Sequence, residues 1–421
     1  MSVLACKGGE PVYSKPFLPY NTMGEEEVAA VSRVVRSGKL SSFIGAWCDD
    51  FDGGREIRAF ESSWADRFNC RHAISVNSNT SGLIAAMGAV GVGPGDEVIV
   101  PPYTMSATAV APLFYGGVPV FVDIEPQTYC LDLEKVKAAI TPRTRAIIVV
   151  DLFGHPGELQ ALRQLADKHG IYLIEDAAQA PLAKEHDRYA GTVGHIGVFS
   201  LNYHKHIHTG EGGMCCTDDD ELALRLRAIR NHGENIVEPL EIANIHNLVG
   251  FNFRMTELSA AIGLAQLKKM DRLVDSRETI ANRLTQVTLS LPGLTPPLVR
   301  ESCRHVYYVW AARYEAQKTG VPRERVVEAL VAEGLPVYQG YVAPLYRLPL
   351  FQKRKAIGRA EWPFSLSDRH YNDRICPVVE RLHEKELLEV HICSHLFNEA
   401  EQQALADGFD KVFSNLDALR Y

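Results

Sequence analysis

The sequence predicts an α/β fold: a mostly parallel sheet flanked by helices in a large domain, followed by a smaller C-terminal α/β domain. Two patterns predict it. Between residues 73 and 220, short apolar runs alternate with helical periodicities, as strand–helix–strand units require. Further on, Leu291-Pro292-Gly293-Leu294-Thr295-Pro296-Pro297 breaks a long helical pattern and marks a domain boundary. Residues 1–290 are therefore expected to form an N-terminal arm and the large domain, and residues 291–421 the small one.

Taken in order, residues 73–76 read as a strand and a helix opens at about Thr80. Residues 97–100 form a strand that ends at Pro101-Pro102, and residues 118–122 form another after an intervening helix. Residues 146–150 are wholly apolar, the mark of a strand buried on both faces. A helix then places Leu159, Leu162, Leu165 and Ala166 on one face and stops at Gly170. Residues 172–174 give the next strand. A single long helix is expected over residues 256–289, with Leu258, Ala261, Ile262, Leu264 and Leu267 in its pattern. The small domain should hold a strand over 306–312, a helix opened by Pro322 and a terminal helix over about 399–416.

Bulk properties exclude several classes. The chain has 421 residues, 46% apolar and 23% charged, enough for two domains with a large core. Its formal net charge of −8 argues against a general nucleic-acid binder, and Lys353-Arg354-Lys355 reads as a solvated loop. The nine cysteines are scattered without a CxxC pair, which suits reduced thiols in a cytoplasmic protein. Val3-Leu4-Ala5-Cys6 looks like a lipoprotein cleavage box but lacks the charged and apolar regions that precede one. No apolar run approaches the ~20 residues of a membrane span.

Three motifs carry chemistry. The run Phe199-Ser200-Leu201-Asn202-Tyr203-His204-Lys205, closed by Thr209-Gly210-Glu211-Gly212-Gly213, supplies an amine, a hydroxyl and a tight turn. An enzyme holding pyridoxal phosphate as a Schiff base needs that set: the amine for the aldehyde, the hydroxyl for the phosphate. Upstream, Ile174-Glu175-Asp176-Ala177-Ala178-Gln179-Ala180 leaves Asp176 just past a strand end. There its carboxylate could pair with the ring nitrogen in a charge-assisted bond of about 1.5–3 kcal/mol, with Gln179 on the ring's phenolic oxygen. Asp176 would serve equally as a helix N-cap. Third, Val76-Asn77-Ser78-Asn79-Thr80-Ser81-Gly82 runs from a strand into a helix, whose free N–H groups and positive end make a phosphate seat.

In this order the motifs resemble those of fold-type-I pyridoxal-phosphate enzymes, specifically the DegT/DnrJ/EryC1/StrS group of sugar aminotransferases. The likeness runs from Gly24-Glu25-Glu26-Glu27 and Ser37-Gly38-Lys39-Leu40-Ser41 to Cys376-Pro377, and includes Gly250-Phe251-Asn252-Phe253-Arg254-Met255. It implies that Lys205 forms the Schiff base and, once displaced, shuttles the substrate proton. Asp176 would bind the ring nitrogen and Gln179 the phenolate oxygen, while Thr80, Ser81 and Ser200 would hold the phosphate. Asn252 would reach the phosphate of the neighbouring subunit's cofactor, making the active unit a homodimer with sites at the interface. Alternatively, Asn252 is a turn residue after Gly250.

Two positions depart from the family pattern. Met105 stands where an aromatic residue usually stacks on the pyridine ring, with Tyr103 a candidate to compensate. Asn79 stands where the family commonly has glycine, and asparagine tolerates a left-handed backbone better than most residues. His195, His204, His206 and His208 cluster around Lys205, but no acidic or thiol partner sits at ligand spacing, so no metal is expected. His204 or His206 would instead line the substrate pocket.

The resemblance implies an aminotransferase. It would take an amino group from glutamate or glutamine, leave pyridoxamine phosphate on the protein, and pass the nitrogen to a keto-sugar, a nucleotide-linked keto-deoxysugar or an inosose-type aminocyclitol ketone. A sugar dehydratase is a second reading, though such relatives replace the Schiff-base lysine with histidine and Lys205 is retained here. A non-catalytic regulator is a third. A nicotinamide enzyme fails, because no GxGxxG follows a strand and opens a helix.

Overall fold

The computed structural model describes residues 3–372 and 374–420. Its main sheet contains β1 (His72–Val76), β2 (Glu97–Val100), β3 (Val118–Phe121), β4 (Thr144–Val150), β5 (Tyr172–Asp176), β6 (Ile196–Ser200) and β7 (Gly213–Thr217). Their order is β1-β7-β6-β5-β4-β2-β3. From β6 across to β3 neighbouring strands are parallel, whereas β7 runs antiparallel to β6 and β1. The alternating sequence pattern is thus a mostly parallel sheet.

Residues 146–150 of β4 are apolar because they feed two cores. Ile147 and Val149 pack on one face, Ile148 and Val150 on the other. Helix α1 (Asn79–Ala89) starts where the Ser78 hydroxyl accepts the Ser81 N–H at 3.1 Å. Helix α2 (Leu159–His169) buries Leu159, Leu162, Leu165 and Ala166 and ends on Gly170 in the left-handed region, as the sequence predicts.

Residues 256–289 form two helices rather than one. Lys269 separates α3 (Glu257–Lys268) from α4 (Met270–Thr288), its backbone at φ −109° and ψ 6°. The break turns Lys269 inward, where its ammonium donates to the Thr22 carbonyl at 2.7 Å and lies 2.8 Å from Glu27. Leu267 and Met270 both stay in the core, so apolar periodicity runs through the break without registering it.

A second sheet, antiparallel throughout, comprises β8 (Leu294–Thr295), β9 (Trp310–Tyr314), β10 (Val337–Gln339) and β11 (Leu387–Val390), in the order β8-β9-β11-β10. It shares a core with α5 (Arg323–Ala332) and α6 (Glu399–Phe413) through Trp310, Val326, Leu330, Phe409 and Val412. The N-terminal arm adds Leu4 to this core, and the Ala5 N–H donates to Glu333 at 2.8 Å. In the opposite direction, Leu345, Phe351, Phe364 and Tyr371 pack into the core of the main sheet.

Strand β9 begins at Trp310, later than the apolar run from Val306 predicts. The N–H groups of Val306 and Val309 go instead to the carbonyls of Gly154 and Phe153, at 3.0 and 3.3 Å. That crossing, with Tyr307 at φ 50°, carries Tyr308 to the carboxyl ends of the main-sheet strands.

Candidate active site

A cavity of about 230 Å³ lies beyond the ends of β4, β5 and β6, lined there by Val150, Asp176 and Ser200. Open α/β sheets gather ligands at this place. Lys205, Gln179, Asn79, Thr80 and Met105 join the same lining. Ser81 and Asn252 do not. A larger concavity of about 660 Å³, lined by Trp47, Asp52, Arg58 and Arg227 among others, contains none of these groups.

Asp176 closes β5 with its side chain buried. Its Oδ2 accepts from the Thr108 hydroxyl at 2.8 Å, and its Oδ1 from the Ala178 N–H and Asn79 Nδ2, each at 3.3 Å. Burial pushes its pKa above the usual carboxylate range, against these bonds and the nearby Lys205. Burial likewise pulls the Lys205 amine down to about 8, although Asp176 opposes the shift. Its Nζ lies 4.2 Å over the Tyr308 ring. For both groups desolvation outweighs their mutual attraction.

The phosphate motif folds as a helix N-terminus. Asn79 is its first helical residue and does not adopt the left-handed backbone that replacing a glycine suggests. Its side chain instead bridges inward: Nδ2 donates to Asp176 and, at 3.1 Å, to the Val198 carbonyl. The Ser81 hydroxyl is engaged by Asn77 at 2.6 Å and Ser78 at 2.9 Å, which holds it out of the cavity. The N–H groups of Asn79 and Thr80 have no intrahelical acceptor by position and remain for an anion. Gly213 lies under this turn so closely that a Cβ there would come within 2.7 Å of the Ser78 carbonyl carbon.

Gln179 accepts the Phe153 N–H at 2.7 Å and donates from Nε2 to the Tyr341 hydroxyl at 2.8 Å. Met105 lines the cavity yet is 63% exposed. Tyr103 is fully buried, its hydroxyl on the Gly340 carbonyl at 2.9 Å, and does not line the cavity where it could replace an aromatic stack. Asn252 is exposed, and its Oδ1 accepts from Arg254 at 2.8 Å. His204 lines the cavity, and burial together with Lys205 lowers its pKa to about 4. His206 is fully buried and donates from Nε2 to the Val306 carbonyl at 2.8 Å, pinning the segment that delivers Tyr308. Thr104, Asn202, Glu211, Tyr308 and Tyr341 also line the cavity, and Thr108 stands behind Asp176.

These groups fit pyridoxal phosphate. An amine whose pKa burial lowers to about 8, a buried carboxylate, a helix end for the phosphate and the unpartnered, buried Asn202 Oδ1 meet around one space. The comparisons point the same way. The model of the DegT/DnrJ/EryC1/StrS aminotransferase family matches residues 21–393. A putative L-glutamine:3-amino-2,3-dideoxy-scyllo-inosose aminotransferase of Streptoalloteichus tenebrarius is 35% identical over the whole of both chains. GDP-perosamine synthase of Caulobacter vibrioides is 38% identical over 70% of this chain and 78% of its own. Among solved structures, an aminotransferase from Psychrobacter cryohalolentis superposes with a TM-score of 0.83 at 29% identity, covering 96% of this chain and 100% of that one.

Proposed function

From the premise that this chain belongs to the DegT/DnrJ/EryC1/StrS aminotransferase family, we propose that it aminates a ketone on a polyhydroxylated ring, with glutamate or glutamine as donor. It is a pyridoxal-phosphate enzyme. When bound, the cofactor supplies an aldehyde for amines and an electron-withdrawing ring that acidifies the neighbouring Cα–H.

The chain's own residues do the rest. Lys205 would hold the aldehyde and afterwards carry the substrate proton on Nζ, a task for which an amine at about 8 is far better suited than an ordinary lysine. Asp176, fixed by Thr108 and Asn79, would face the ring nitrogen. Gln179 has a second amide hydrogen for the phenolic oxygen. Thr80, Ser200 and the N–H groups of Asn79 and Thr80 would seat the phosphate, with Ser81 supporting the turn. Met105 would cover the ring's edge.

The observation that carries the acceptor class is the character of the lining. Among the described residues that form it, Lys205 is the one lysine or arginine, and Ser78, Thr80, Thr104, Asn202 and Tyr341 offer neutral hydrogen-bonding groups. Such a wall suits a neutral ring bearing hydroxyls. A nucleotide-linked keto-sugar and an inosose share that ring, and a panel separates them. Glutamine should bleach the visible absorbance of the bound cofactor, and the ketone that restores it names the acceptor. Restoration by simple keto acids alone would refute the proposal.

The active unit is a homodimer in this reading. Asn252 is exposed and faces no group of its own cavity, while Met105, Tyr203 and Val249 leave apolar side chains exposed at 63, 68 and 71%. Mixing inactive Lys205→Ala and Asn252→Ala chains should recover part of the activity through hybrid sites. Free thiols at all nine cysteines suit a cytoplasmic enzyme.

A further inference from the structure

Two residues with left-handed backbone frame the cavity, and one side chain clips them together. Phe153 follows β4 with φ 59°, and Tyr341 follows β10 with φ 47°. Bulky residues keep that conformation only where their surroundings impose it. Gln179 Oε1 accepts the Phe153 N–H, and because a backbone N–H can only donate, the amide orientation is fixed and Nε2 must face the Tyr341 hydroxyl. On the other side Glu389, 1% exposed in β11, accepts the Tyr341 N–H on Oε1 at 2.6 Å. The preceding Gly340 carbonyl accepts from the Tyr103 hydroxyl at 2.9 Å and meets His383 Nδ1 at 2.6 Å. Groups on both sheets therefore determine where Tyr341 stands.

This arrangement has a chemical consequence. The Gln179 amide occupies a lone pair of the tyrosine oxygen, which leaves the O–H to donate into the cavity that Tyr341 lines. Burial pushes the phenol up to about 12, so the proton is retained at neutral pH. The ring is held edge-to-face against Phe153 at 4.8 Å and Tyr103 at 5.7 Å, so the hydroxyl cannot swing away. A fixed neutral donor recognises a carbonyl or hydroxyl oxygen of an uncharged ring and leaves a group unpaired when that oxygen is missing.

Resting on the reading that the acceptor is a polyhydroxylated ketone, we propose that Tyr341 determines acceptor specificity by donating to a ring oxygen of that ketone. Glu389 is its positioning residue, acting through the Tyr341 backbone.

The test is kinetic, on the holoenzyme, with donor and acceptor half-reactions measured separately. Tyr341→Phe should raise the acceptor KM about tenfold while slowing the donor half-reaction less than about threefold. Glu389→Ala should shift acceptor KM in the same direction, and Glu389→Gln, which keeps a carbonyl to accept the N–H, should recover most of the loss. The Tyr341→Phe/Glu389→Ala double variant should be no worse than Tyr341→Phe alone, because both act through one hydroxyl. Equal losses in both half-reactions, an unchanged acceptor KM in Tyr341→Phe, or weakened cofactor binding in that variant would each overturn the assignment. Should Glu389→Ala fail to fold, Tyr341→Phe and Glu389→Gln still decide. A wild-type enzyme that aminates no ring ketone would instead bring down the parent reading.

Discussion

The two walls of the cavity are built on different principles. The main-sheet wall comes from the ends of regular elements: Asp176 closes β5, Ser200 closes β6, and Asn79 and Thr80 open α1. The opposite side comes from irregular backbone, Tyr308 on a crossing segment and Tyr341 on a left-handed turn. On the first wall stands the buried Asp176 carboxyl, and the Lys205 amine sits against it. The second presents neutral aromatic hydroxyls. Under the proposed function this contrast is a division of labour: one side would do the chemistry, and the other would adjust it and choose what enters.

The sharpest way to break that division is to remove the amine. Lys205→Ala should lower turnover by at least about a thousandfold, since both the covalent hold and the proton carrier are lost. Visible absorbance of the bound cofactor should disappear with it. If a substitution on the opposite wall such as Tyr308→Leu were equally damaging, the walls would not differ in kind.

Thr108→Val probes the chemical wall more gently. It deletes the 2.8 Å bond to Asp176, and hydrogen bonds to charged groups contribute about 1.5–3 kcal/mol. The Asp176 pKa, already raised by burial, should rise further. Apo-protein should then bind pyridoxal phosphate at least about tenfold more weakly at neutral pH. Thr108→Ser should bind nearly as well as wild type. Equal affinities for the valine and wild-type proteins, measured by fluorescence titration, would show that Asp176 needs no such support.

The same contrast explains what was legible in the sequence. Residues on the main-sheet wall sit in short motifs near strand ends, so Asp176, Lys205, Ser200 and Thr80 could be singled out from the sequence, while the family resemblance supplied their expected roles. Asn79 was visible as an oddity, but its inward bridge to Asp176 depends on how α1 meets β5. Tyr308 and Tyr341 reach the cavity through long-range backbone contacts that leave no periodic trace, and Thr108 lies in an unremarkable Ser-Ala-Thr run. The single helix expected over 256–289 failed for a related reason. That helix breaks at Lys269, whose ammonium donates to the Thr22 carbonyl, and apolar spacing is blind to such a contact.

The smallest expected effect is the finest measure of the division. Lys205 attacks an aldehyde only as the free amine, whose fraction grows as pH rises through its pKa. With the amine at about 8, roughly a tenth is free at pH 7. Capture of pyridoxal phosphate by apo-protein, followed by stopped-flow absorbance, should therefore accelerate with pH and level off above about 8. The face of Tyr308 under Nζ favours the charged amine, by about 0.5–1 kcal/mol for such a contact. Tyr308→Leu should remove that support and move the limb to lower pH by roughly half a unit. Asp176→Asn should move it the same way, because the carboxylate also raises the amine's pKa. A limb that moves with Asp176→Asn but stays in place with Tyr308→Leu would assign the tyrosine to packing alone and leave all the tuning on the main-sheet wall.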